Sequence, residues 1–291
     1  MTVVLQQAIN GVVLGSLYVL VALGLTLIYG VLVQINFAHA DIVTLGAFAA
    51  YFFTHGLGGG YIPSIAVAFL VGGALGWLMN AAVFAPLQSR SELLPLIATI
   101  GVSVLLENAM LAAFGPIPYA FESPYSNEVI RFGGTFITLQ NVLIIAVSVL
   151  TIVLLYAFMK FTFLGKALRA VAQDRETAGL MGINPNQLVM LTFVIASALA
   201  GMAGAMLGPV LVLNPFAGTS VIVKAFAIVI IGGFGNVEGT ILAGLLVGLI
   251  ESFTTQYLGP GLIDIVVFAL LLLMLAIRPT GLIAEKREEN V

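Results

Sequence analysis

Apolar residues fall in long blocks separated by short polar stretches. From residue 3 to residue 29 there is no charge, and a helix of that length rises roughly 40 Å at about 1.5 Å per residue, enough to cross a bilayer with tilt. Further blocks cover residues 31–53, 61–87, 93–114, 139–159, 188–211, 221–234, 240–258 and 262–277. The pattern predicts an all-α, polytopic helical membrane protein with about nine membrane segments, forming a single transmembrane domain over residues 1–291. Two blocks are irregular. Residues 31–53 are interrupted by Gln34, Asn36, His39 and Asp41, a cluster that lipid penalises heavily, so it faces protein or water. It reads as a broken-helix joint whose side chains satisfy freed backbone groups, or as a point of substrate contact. Residues 221–234 are short for a span and end in Gly232-Gly233-Phe234-Gly235-Asn236, which reads as a half-helix or a re-entrant turn.

Composition closes off the soluble alternative. The chain is 61% hydrophobic and 8% charged, against about 25% charged in soluble domains. Glycines are scattered through apolar runs, with pairs four apart at Gly11/Gly15, Gly72/Gly76, Gly204/Gly208, Gly235/Gly239 and Gly244/Gly248; such pairs let membrane helices approach closely. A net charge of −3, dispersed along the chain, leaves no nucleic-acid footprint. The absence of cysteine removes disulfides, thiolate metal sites and a cysteine nucleophile. No Lys or Arg precedes Gly11, so the first block reads as an uncleaved span and not a signal peptide.

Charge orients the spans. Lys160, Lys166, Arg169 and Arg175 fall within residues 160–187, and Arg278, Lys286 and Arg287 in the tail, whereas residues 115–138 carry Arg131 against Glu122 and Glu128. The positive-inside rule places the first two regions in the cytoplasm. The C-terminus is then inside, the N-terminus outside, and the loop bearing Arg90 also inside.

Ionisable groups within spans are functional candidates, because each costs about 2.5–3.5 kcal/mol at a helix centre. Glu107, Lys224, Glu251 and Asp264 all fall in the outer half by this topology. They suit a water-accessible vestibule in which Lys224 pairs with Glu251 or Asp264 and a zwitterion finds transient partners. Helix pairing and snorkelling account for the same charges. His39 is not read as a metal ligand, since His55 lies beyond the next helix. Trp77 and the phenylalanines read as packing or lipid-facing residues.

Residues 160–187 form the one substantial cytoplasmic loop. Helix formers over 165–176 predict a short helix with Lys166, Arg169, Gln173 and Glu176 on one face, ended by Gly182 and stopped by Asn184-Pro185. This is either a docking face or a solvated connector. Gly165-Lys166 is followed by Ala167, so the phosphate-binding P-loop pattern is missing and the chain itself is not expected to bind ATP.

Glu176-Thr177-Ala178 followed by Gly182 resembles the loop of ABC importer membrane subunits that docks into the ATPase. Five further strings arrive in order: Leu-Gly-Leu-Thr-Leu-Ile-Tyr-Gly at 23–30, Ile-Asn-Phe-Ala-His at 35–39, Thr-Ile-Gly-Val-Ser at 99–103, Ile-Gly-Gly-Phe-Gly-Asn at 231–236 and Arg-Pro-Thr-Gly-Leu at 278–282. Together they resemble the branched-chain amino-acid ABC permease family, in particular the shorter membrane subunit of such importers. The resemblance implies a permease subunit of the bacterial or archaeal inner membrane, without covalent chemistry of its own. A sister permease, two cytosolic ATPases carrying ATP and Mg, and a periplasmic or extracellular binding protein that captures the amino acid would complete the machine. It assigns Lys166, Arg169, Arg175, Glu176 and Gly182 to ATPase coupling. Asn36, His39, Asp41, Glu107, Lys224 and Glu251 are then the candidates for the translocation path. Related permeases serve urea, amides or other amino acids. An ion-coupled secondary transporter using Glu107 or Glu251 is the alternative outside this class.

Overall fold

The computed structural model describes residues 2–87, 93–132 and 134–283; Arg90, Lys286 and Arg287 lie outside the described residues. The chain runs through α1 (Thr2–Leu32), α2 (His39–His55) and α3 (Tyr61–Met79), which passes through a π turn (Asn80–Phe84) into the short α4 (Ala85–Leu87). Then come α5 (Leu93–Phe114), a hairpin of β1 (Val129–Phe132) and β2 (Thr135–Thr138), and α6 (Leu139–Phe161). The second half holds α7 (Phe163–Gln173), α8 (Arg175–Leu180), α9 (Pro185–Leu207), α10 (Ala217–Gly232), α11 (Val237–Tyr257) and α12 (Ile263–Ile277). Seven of the described helices are long and apolar enough to cross a membrane. The two irregular blocks instead become short helices of 17 and 16 residues, α2 and α10.

The expectation of an all-α chain needs one correction. Residues 129–138 pair as an antiparallel hairpin, Val129 opposite Thr138 and Phe132 opposite Thr135, with Gly134 at φ +82° in the turn. A hairpin this short is marginal alone. It is held by Gln6 at the start of α1, whose side-chain amide donates to the Phe136 carbonyl at 2.9 Å and accepts from the Phe136 N–H at 3.0 Å.

Helix α1 is apolar on every side, which suits a helix surrounded by others, and 89% of its most apolar stretch is buried. By contrast the corresponding stretches of α5, α6 and α12 are 11%, 17% and 6% buried, so these three form the rim. Glycine sets the closest approaches. A Cβ at Gly248 on α11 would lie 2.3 Å from the Gly15 nitrogen on α1, and one at Gly72 on α3 would lie 2.3 Å from the Ser197 carbonyl on α9. The pairs Gly244/Gly248 and Gly72/Gly76 therefore serve helix packing.

These contacts expose an internal symmetry. Near the end of α1, Val31 packs into a cluster with Leu188 at the start of α9, while Gly24 faces the Ala196 carbonyl, so α1 and α9 are antiparallel. Each is followed by a break, a short helix and a longer helix, and each longer helix packs along the first helix of the other half: α3 on α9, α11 on α1. The two units α1–α5 and α9–α12 thus form an inverted repeat, an arrangement that places irregular backbone in the middle of a transporter. Both breaks carry a Phe-Ala pair into the short helix, Phe37-Ala38 and Phe216-Ala217.

Candidate functional site

The first break starts at Val33, a β-branched residue at φ +55°, a conformation such residues rarely adopt. Beyond it the chain turns back into the bundle. The Phe37 N–H donates to the Thr99 hydroxyl of α5 at 3.3 Å, and the His39 N–H to the Asn36 carbonyl at 3.3 Å. Asn36 and His39 are fully buried; the side-chain nitrogen and oxygen of Asn36 have no hydrogen-bond partner among the described residues, and the His39 imidazole lies beside the Val21 backbone of α1. Gly24 makes room for the imidazole, since a Cβ there would lie 2.7 Å from His39 Nε2. The joint expected from the polar cluster is present; its N-cap position is Ala38, which supplies no side-chain cap, and the Asp41 carboxylate lies against the backbone of the first turn of α2.

The second break delivers α10 to the same place. The Gly218 N–H donates to the Thr44 hydroxyl of α2 at 2.9 Å, and a Cβ at Gly218 would lie 2.0 Å from the Ala40 carbonyl. The N-terminal ends of two short helices therefore meet inside the bundle, each bearing a partial positive charge of about half a unit. A carboxylate accompanies each end. Asp41 is in the first turn of α2 and buried; Glu107 on α5 accepts from the Thr219 hydroxyl, in the first turn of α10, at 2.9 Å. Ser103 and Glu107, one helical turn apart, both lie close to Asp41.

One turn further along α10, Lys224 donates to Glu251 of α11 at 2.6 Å and to the Tyr18 hydroxyl of α1 at 3.3 Å, with its ammonium 5.4 Å from the Tyr18 ring centre. Of the two partners expected for Lys224, the structure brings in Glu251 and leaves Asp264 exposed at the start of α12. Tyr18, Gly24, Thr44, Thr99 and Thr219 were not legible as site residues. Only Gly24 and Thr99 stood within the quoted strings, and none carries a charge that would have singled it out.

At the other pole, the single helix expected over 165–176 is two helices. Asp174 interrupts it with extended backbone and accepts from the Glu176 and Thr177 N–H groups at 2.9 and 3.0 Å and from the Thr177 hydroxyl at 2.5 Å. An aspartate that can bond the next turn competes with helix continuation and starts a new helix. Those same bonds, the Thr177 hydroxyl first, hold the Asp174 carboxyl below the usual carboxylate range. For a lowered carboxyl the stabilisation is present above the unfolded value near ~4 and is lost as pH falls through the lowered one. Fraying of α8 is therefore expected only on acidification below about pH 4, read as loss of protection at the Glu176 and Thr177 amides.

Ala167, Leu168, Val171, Ala178 and Leu188 form a separate small core that seats α7 and α8 on α9. Lys166 and Glu176 remain exposed, Arg175 reaches Asn186 at 2.7 Å, and Gly182 closes α8 at φ +83°. Arg169 is exposed as well and also lines a cleft against α1, α6 and α11.

Comparison with known proteins gives a consistent result. The family model described as branched-chain amino acid transport system / permease component matches residues 7–275. The chain is 34% identical over 305 aligned positions to the high-affinity branched-chain amino acid transport system permease protein LivH of Escherichia coli, covering 99% of this chain and 97% of that one. It is 35% identical to the corresponding protein BraD of Pseudomonas aeruginosa, covering 99% and 98%. A more distant relative is the fructose import permease protein FrcC of Rhizobium meliloti, 27% identical over 86% of this chain and 69% of that one. No solved structure matches the chain.

Proposed function

The chain belongs to the branched-chain amino acid transport permease family and is a multi-pass membrane permease subunit; from that premise we propose that it forms half of the path of an ATP-driven importer of branched-chain, hydrophobic amino acids. The observation that carries this reading is the identity of about a third with LivH and BraD across 99% of the chain. The rest of the machine is a sister permease, two cytosolic ATPases holding ATP and Mg, and an external binding protein. The excess of Lys and Arg over residues 160–187 supports an orientation with the α7–α8 end in the cytoplasm and the N-terminus outside, in the inner membrane of a bacterium or archaeon. The fructose permease is less similar and aligned over less of its length, so an amino-acid cargo is preferred to a sugar.

The path wall follows from exposure. Thr219 and Ser220 on α10 and Asn108 on α5 are exposed beside Glu107, at the depth where two helix ends meet inside the bundle. Polar surface at that depth is expensive against lipid. This face therefore looks onto the path and the sister subunit, and the positive helix ends with their carboxylates suit the passage of a zwitterion. An ion-coupled transporter is disfavoured because Glu251, one of its two candidate proton carriers, is held by Lys224 at 2.6 Å.

Coupling to the ATPases is assigned to α7–α8, with Lys166, Arg175, Glu176 and Gly182 at its exposed face. Purification of the tagged chain from its native membrane should bring down ATPases and a sister permease in stoichiometric amounts. Asp174→Ala removes the cap that orders α8 and should release the ATPases, whereas Asp174→Asn keeps an acceptor at the cap and should retain them. Equal retention by both variants would remove α8 from the coupling surface.

A further inference from the structure

We propose that the cleft where α1, α6, α7 and α11 meet is a binding site for an anionic phospholipid with a single phosphodiester. The cleft has a volume of ≈ 410 Å³ and lies where the membrane helices end: Lys160 is in the last turn of α6, and Glu238 is in the first turn of α11. Its walls combine two chemistries. Leu27, Val31, Met159 and Leu168 give it an apolar side continuous with the spans, and Lys160 and Arg169 give it a cationic side.

Neither cation has a carboxylate within salt-bridge distance among the described residues, where Lys224–Glu251 is the one ion pair found. Lys160 instead donates to the Tyr156 hydroxyl at 3.3 Å and lies 5.3 Å from that ring centre, which fixes it at the rim of the cleft without neutralising it. Arg169 stands on the facing helix, and its planar fork suits phosphate oxygens. Glu238 also lines the cleft, so the three charged walls sum to one positive charge, matching one phosphodiester and not two. Basic pockets between helices at the cytoplasmic boundary take phospholipid headgroups on this logic. A free phosphate ion would leave the apolar side unused, whereas a lipid fills it with acyl chain. The lipid would then bridge α7 to α1 and α11, tying the coupling segment to the membrane core. The site stands on the cleft alone and does not depend on which solute is carried.

The full-length chain, purified in detergent and supplied with phosphatidylglycerol or phosphatidylethanolamine, tests this by native mass spectrometry. One phosphatidylglycerol should be retained in preference to phosphatidylethanolamine. Lys160→Gln with Arg169→Gln should weaken retention by about 25-fold, taking roughly fivefold for each cation lost near a membrane surface. Lys160→Arg should retain the lipid, and Arg131→Gln, a cation removed from the distant hairpin, should change nothing. Equal retention of both lipids, or of phosphatidylglycerol by the double variant, overturns the proposal. Displacement by millimolar inorganic phosphate overturns it in favour of a plain anion site. A double variant that no longer folds is recognised by its melting curve, and the lipid preference of Lys160→Arg then decides.

Discussion

Glu251→Ala is expected to destabilise the folded chain by about 3–5 kcal/mol, the range for removing one partner of a buried ion pair. Lys224 and Glu251 are 2.6 Å apart with side chains only 13% and 8% exposed. Truncation leaves an ammonium in the bundle with the Tyr18 hydroxyl as its remaining neighbour at 3.3 Å. The damage comes from the unpaired charge, so Lys224→Met combined with Glu251→Gln should recover most of the stability. Thermal unfolding in detergent reads the first effect, and ATP-dependent uptake separates two roles for the pair. If it only joins α1, α10 and α11, the double variant transports; if it also meets the substrate, the double variant is stable and does not transport. A melting temperature for Glu251→Ala equal to that of the unmodified chain would remove the pair from the account.

Gly218→Ala should be among the most damaging single methyl additions in the molecule's middle. The added carbon would lie 2.0 Å from the Ala40 carbonyl oxygen and 2.6 Å from the Thr44 hydroxyl. The first of these is backbone in the opening turn of α2 and cannot swing away. Overpacking typically costs about 1–3 kcal/mol. Here α2 and α10 must also part, which lengthens the 2.9 Å bond from the Gly218 N–H to Thr44. Uptake should fall by more than the loss of folded protein explains, because the two positive helix ends no longer meet. Gly261→Ala, just before the rim helix α12 and with no atom within 4 Å of the new carbon, is the matched control and should behave as wild type. Equal uptake by the two variants, normalised to folded protein, would separate the helix-end junction from transport.

The spans were legible because lipid imposes a simple demand: a backbone in hydrocarbon must satisfy its own hydrogen bonds, and long apolar blocks report where it does. The same demand made the break before His39 visible, since four polar residues interrupt one block. What that pattern could not tell is that two breaks converge. Gly218 reaches Thr44 across 174 positions of sequence, and only the opposed direction of the two repeats brings them together. Likewise the choice of Glu251 over Asp264 by Lys224 depends on which turn of α11 and α12 faces α10. The helix break at Asp174 was hidden by the helix formers around it, because a cap is decided by one side chain's bonds and not by propensity summed over a window. The 129–138 hairpin escaped notice because four-residue strands carry little pattern of their own, and its support from Gln6 lies 130 residues away.

The central claim is that this chain forms half of the membrane path of an ATP-driven amino-acid importer. The measurement that tests it most directly is leucine uptake into vesicles reconstituted with the complex that purifies with this chain and with its binding protein, with and without ATP on the ATPase side. The account predicts accumulation that requires both ATP and the binding protein and that is lost in Gly218→Ala. Leucine accumulation by the chain alone, driven by an ion gradient in vesicles without ATP, would contradict it.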